Sequence, residues 1–109
     1  MIKVLLVQNS GFLGCEAQGH AGFGKKGQDI VCAAATFLLR TVAQALGKTP
    51  GVAFKGQAPY EGSLSFEARA EGDSAVAGLK FAAEMIQEGF QSLSREFPQN
   101  VQFECKLEE

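Results

Sequence analysis

Turn and cap residues divide this chain so regularly that few folds remain open to it. Asn9-Ser10-Gly11 separates two short runs of strand-forming residues, 2–8 and 12–18. The first is β-branched and leucine-rich, and the second places Leu13, Cys15 and Ala17 on one face by alternation. Asp29 then precedes an apolar stretch, 30–46, that runs into Gly47 and Pro50. An aspartate side chain accepts hydrogen bonds from the free amides of a helix start, and glycine followed by proline stops a helix. The same sequence of signals comes again. Residues 52–57 and 63–70 read as a second hairpin across a turn from Pro59 to Gly62, with Leu64, Phe66 and Ala68 alternating against Ser65, Glu67 and Arg69. Asp73-Ser74 is the expected cap of a second helix. Its Val76, Leu79, Ala83, Ile86, Phe90, Leu93 and Phe97 recur at spacings of three and four, one apolar stripe that Pro98 ends. Val101, Phe103, Cys105 and Leu107 alternate with polar residues as a last strand.

The order ββαββαβ predicts an α+β fold in two layers. The sheet is expected to be mainly antiparallel, because each hairpin pairs neighbours, with both helices packed on one face. The first helix is apolar on nearly every side, which predicts cover on more than one face. Residues 1–109 are expected to form one domain, since no linker-like stretch divides them. A chain of this length buries about 65% of its unfolded surface, enough for one core without a metal or disulfide staple.

Charge and cysteine content narrow the function classes. A net charge of −2, with Lys25-Lys26 the one dibasic pair, argues against direct nucleic acid binding. The longest apolar run, 31–39, contains Thr36 and is too short to span a bilayer, so no membrane partner is expected. Met1 leads straight into a strand-like run rather than a secretory leader. The three cysteines, at 15, 32 and 105, are odd in number and form no CxxC pair. Reduced thiols in the cytoplasm are the expectation.

Chemistry concentrates in residues 19–34, GHAGFGKKGQDIVCAA, which hold the sole histidine, His20, and Cys32. With Asp29 as N-cap, Cys32 falls at the third helical position, where backbone amides and the helix dipole favour an anion. A free thiol of pKa about 8.5 is only about 3% thiolate at pH 7. Bringing such a thiol to about 6.5 needs roughly 2.7 kcal/mol, whereas a helix terminus supplies about 0.3–1. A cationic imidazole in contact has to provide most of the rest, and His20 is the one available. Gly22, Gly24 and Gly27 lie between the two, suited to positive φ, to close approach of a ligand, or to a segment that opens and closes. Amides of this loop or of the helix start are candidate oxyanion donors. Asp29 can orient the imidazole, cap the helix, or do both. Beside this stands a plainer reading, in which Cys32 is a small buried hydrophobe and His20 is structural. Cys15 and Cys105 point to inner strand faces and are expected to be core. His20, Asp29 and Cys32 are too few, and wrongly spaced, for a closed structural zinc site, so no metal is expected.

GHA at 19–21, a glycine-containing loop, and GxDIVCAA at 27–34 together resemble the ribosomal-processing cysteine protease family of bacteria, Prp. The length and the ββαββαβ order agree with that family as well. The resemblance implies a homodimeric cysteine endopeptidase that needs no cofactor and removes the N-terminal extension of large-subunit ribosomal protein twenty-seven. It implies Cys32 as nucleophile and His20 as general base, with Asp29 matching the family's aspartate. It also implies substrates with aromatic and apolar residues before the scissile bond, and a loop that covers the bound peptide. Where the family pattern carries a serine four residues after the cysteine, this chain has Thr36, on the same helical face as Cys32. The competing class is a non-catalytic, ribosome-associated peptide-binding module.

Overall fold

The expected element order is the observed one. A computed structural model describes residues 1–58 and 61–108. It comprises β1 (Ile2–Asn9), β2 (Phe12–Gln18), α1 (Ile30–Gly47), β3 (Val52–Gln57), β4 (Ser63–Ala70), α2 (Asp73–Glu96) and β5 (Val101–Leu107). The five strands lie in the order β3-β4-β2-β1-β5. β1 pairs antiparallel with β2, β2 with β4 and β3 with β4, while β5 runs parallel to β1. That parallel pair follows from α2, which carries the chain across the sheet before β5 begins.

Register sets the core. Leu6 lies opposite Cys15 and Val4 opposite Ala17, so one face of the β1–β2 pair is apolar. Leu13 opposite Ala68, and Cys15 opposite Phe66, extend it onto β4. The helices cover this face. α2 contributes Leu79, Ala83, Ile86 and Phe90, and the Phe90 ring stacks on Phe103 of β5 with centroids 5.7 Å apart. Fully burying side chains such as Ile86 or Phe90 contributes roughly 1.5–3 kcal/mol each.

Three sequence expectations need correction or limits. α1 buries one stripe, Val31, Ala35, Leu39, Val42 and Leu46, and not several faces. Its outer side mixes alanine with Thr36, Arg40, Thr41 and Gln44 and keeps Ile30 62% and Phe37 73% exposed. By length and composition alone α1 would suffice to cross a bilayer, which the shorter run 31–39 did not suggest. Second, α2 begins at Asp73 itself, and its N-cap is Gly72, which has no side chain to bond the free amides. Asp73 therefore acts on the helix dipole from the first turn and not as a cap. Third, Pro59 and Tyr60, in the expected turn between β3 and β4, lie outside the described residues.

Candidate active site

β2 delivers His20 to one end of the sheet. Gly19 follows the strand with φ +96°, and a Cβ there would run into the Met1 carbonyl. The Gly19 N–H donates to Gly62 O at 2.8 Å, binding the end of β2 to the approach of β4. His20 is exposed, and its imidazole lies over Gly62. A Cβ on Gly62 would stand 2.8 Å from Nε2, at a φ of +83°. The positive φ there favours glycine, and any side chain would push the imidazole aside.

α1 delivers Cys32, half-buried at the third position of the helix. The Asp29 carboxylate anchors both the helix start and the preceding loop. Its Oδ1 accepts from Val31 N–H at 3.0 Å and Cys32 N–H at 2.9 Å. Its Oδ2 accepts from Phe23 N–H at 2.9 Å and Gly24 N–H at 3.2 Å. The Cys32 amide and these other amides hold the Asp29 carboxyl below the usual carboxylate range. The carboxylate is thus engaged by four backbone amides and makes no hydrogen bond to His20. Sγ of Cys32 takes its hydrogen bond from Ala21 N–H at 3.2 Å, not from the imidazole.

The loop glycines have distinct geometries. Gly22 and Gly27 adopt φ of +70° and +84°, whereas Gly24 backs onto Gln28, where a Cβ would stand 3.2 Å from the carbonyl oxygen. His20, Cys32 and Thr36 line one cleft of about 910 Å³, together with all three glycines. The cleft runs along the outer side of α1 past Ile30, Phe37 and Arg40. Lys26 Nζ meets Glu61 Oε2 at 3.1 Å across the loop. Both side chains are well exposed, so the pair contributes about 0–1 kcal/mol.

The other thiols sit elsewhere. Cys15 is 3% exposed in the core, and burial pushes its pKa up to about 12, which keeps it protonated. Cys105 is half-buried and accepts a weak bond from Gln8 Nε2 at 3.6 Å. Among the described residues no three His, Cys, Asp or Glu side chains converge as a metal site. Sequence reasoning passed over Ala21, Gly62 and Asn100, the last of which donates to Ala21 O at 2.9 Å. The Gly62 signal lay in its turn, read only as a turn; Asn100 had no local signal at all.

The Asp29 cap gives a pH prediction with a definite sign. Its folded pKa is depressed, so its contribution to stability is present above the unfolded value of about 3.9 and lost as pH falls through the lower folded value. Asp29→Asn is expected to be less stable than wild type at neutral pH. Urea midpoints of the two proteins, measured from pH 7 downward, are expected to converge in acid. A gap that stays constant into strong acid would contradict the cap's charge dependence.

These elements make a small α+β protein with a cysteine-bearing cleft at the N-terminus of its first helix. The chain belongs to the cysteine protease Prp family, whose model matches residues 1–102. No curated protein sequence matches it significantly. Among solved structures, it resembles an essential ribosomal processing protease Prp from S. aureus in complex with a covalently linked product peptide. That match has 24% identity and a TM-score of 0.78, covering 97% of this chain and 100% of that one. The same S. aureus protease with a substrate peptide gives 23% identity and a TM-score of 0.72 over 97% and 100% of the two chains. SMU.848 from Streptococcus mutans gives 24% and 0.73 over 99% and 96%. These likenesses support the α+β architecture.

Proposed function

We propose that this chain is a cytoplasmic cysteine endopeptidase that removes the N-terminal extension of large-subunit ribosomal protein twenty-seven. The observation that carries the reading is the placement of Cys32. Its sulfur lies in the first turn of α1, in the same cleft as His20, with an amide N–H already directed at it. Membership of the Prp family supports the reaction class, and the S. aureus neighbour, a ribosomal processing protease, supports the substrate. The family resemblance also implies a homodimer.

In this mechanism His20 takes the proton from Cys32, and the thiolate attacks the peptide carbonyl. The protonated imidazole then donates to the leaving amine, and water hydrolyses the thioester. Contacts of this kind are often loose without substrate and tighten when it binds, in keeping with an imidazole that rests on Gly62 in the free chain. The Val31, Cys32, Phe23 and Gly24 amides are held by Asp29, while Ala21 N–H is directed at the Cys32 sulfur, where it favours the thiolate. Thr36 offers a hydroxyl to the peptide on the Cys32 side of the helix, and the loop carrying Gly22, Gly24 and Gly27 lines the same cleft. The thiol, the base and water suffice for the chemistry.

Exposed Ile30 and Phe37 give the cleft an apolar wall suited to the aromatic residues before the scissile bond. An aromatic pair contributes about 0.5–1.5 kcal/mol beyond area burial, which is up to roughly 10-fold in affinity. Phe37→Ala is therefore expected to raise KM with little change in kcat; an unchanged KM would remove Phe37 from the peptide path. The reading as a whole is tested with a peptide spanning the precursor extension from the same organism. One cut at its boundary is expected. Stoichiometric alkylation of Cys32 with no turnover would favour the peptide-binding module instead.

A further inference from the structure

Ala21 is held from both sides. Its N–H donates to Sγ of Cys32 at 3.2 Å, and its carbonyl oxygen accepts from Asn100 Nδ2 at 2.9 Å. The residue is only 2% exposed, so neither bond is readily replaced by water. Asn100 lies 79 positions along the chain from Ala21, in the turn between α2 and β5. That turn is itself fixed by backbone bonds that do not use the Asn100 side chain. Asn100 N–H donates to Phe97 O at 3.0 Å, and Asn100 O accepts from Ile2 N–H at 2.9 Å. A second contact joins the same corner to the same loop. The Phe23 ring meets Phe97 edge to face, with centroids 5.1 Å apart.

We infer that Asn100 is a positioning residue for the thiol site. Its amide holds the Ala21 carbonyl, and so keeps the Ala21 N–H on Cys32 and fixes the backbone from which His20 projects. The geometry favours this over a packing role, because the side chain makes a directed bond to the loop residue whose N–H meets the Cys32 sulfur. The inference rests on the peptidase reading for its consequence in turnover, but its geometric content can be tested without any substrate.

The test compares wild type with Asn100→Ala, the isosteric Asn100→Asp and the amide-keeping Asn100→Gln, all as the full chain. Two quantities are read: kcat and KM on the precursor peptide, and the rate of Cys32 alkylation by iodoacetamide, resolved by peptide mass mapping. A displacement of about 1 Å costs on the order of 100-fold in rate, so kcat is expected to fall about 10- to 100-fold in the Ala and Asp variants. KM is expected to change by about twofold or less, because the bond acts on the reacting groups and not on the peptide. The alkylation rate is expected to change in the same two variants, and Gln to restore part of both wild-type values. Asn100→Asp preserves volume and keeps the comparison meaningful should the alanine variant fold poorly. A folded Asp variant with wild-type kcat and alkylation rate would overturn the inference, as would a Gln variant no better than Ala. If wild type alkylates at Cys32 but cleaves nothing, the peptidase reading fails, and the alkylation series still decides the role of Asn100.

Discussion

Cys32→Ala is expected to lower kcat for precursor cleavage by about 10⁴-fold or more, since losing a nucleophile removes the covalent route altogether. The fold should survive. Cys32 is half-buried, alanine is the best helix former, and the Asp29 cap reaches the backbone of residue 32 and not its side chain. His20→Ala is expected to cost about 10²- to 10⁴-fold, the usual worth of a positioned general base. Its stability should lie within about 0.5 kcal/mol of wild type, because the side chain is exposed. The pair is non-additive if the two residues act as a unit. The double variant should then be about as slow as Cys32→Ala, and a multiplied loss would mean that they act separately.

Gly62→Ala should also slow the enzyme, for a different reason. At a φ of +83°, an L-residue costs roughly 1–2 kcal/mol. The added methyl would stand 2.8 Å from His20 Nε2 and 3.0 Å from Cε1. Those atoms are the free end of a side chain, so the imidazole gives way and the backbone does not. The main loss is then in turnover. Displacing the base by about 1 Å predicts a fall in kcat on the order of 100-fold, against a modest loss of thermal stability. Enzyme assays beside melting curves separate the two. Wild-type kcat in a destabilised Gly62→Ala would show that the ring's contact with Gly62 has no part in catalysis.

Much of this fold was legible because its signals are local. Asp29 caps α1 and Pro50 stands just past its end, although Gly47 is the last helical residue and Lys48 the C-cap; the stripe from Leu79 to Phe90 identifies the buried face of α2, and strand alternation sets the inner faces. The cap of α2 was misread because Asp73 and Gly72 are neighbours and both suit a helix start. The outer face of α1 was misread because Ile30, Phe37 and its alanines read as core by residue type, yet they stand exposed. At the site, His20, Asp29 and Cys32 could be found from one short segment. Gly62 and Asn100 could not, because each acts across the sheet on a segment far away in sequence. The group that a side chain at Gly62 would displace is an imidazole 42 positions earlier. Asn100 donates to a backbone carbonyl, and a backbone partner leaves no mark on residue type.

The most direct test of the central claim is to quench wild-type enzyme in acid during turnover of the precursor peptide and map the covalent adduct by mass spectrometry. The account predicts a thioester of the N-terminal fragment on Cys32, absent from Cys32→Ala. An acyl group on Cys15 or Cys105, or undiminished cleavage by a folded Cys32→Ala, would contradict it.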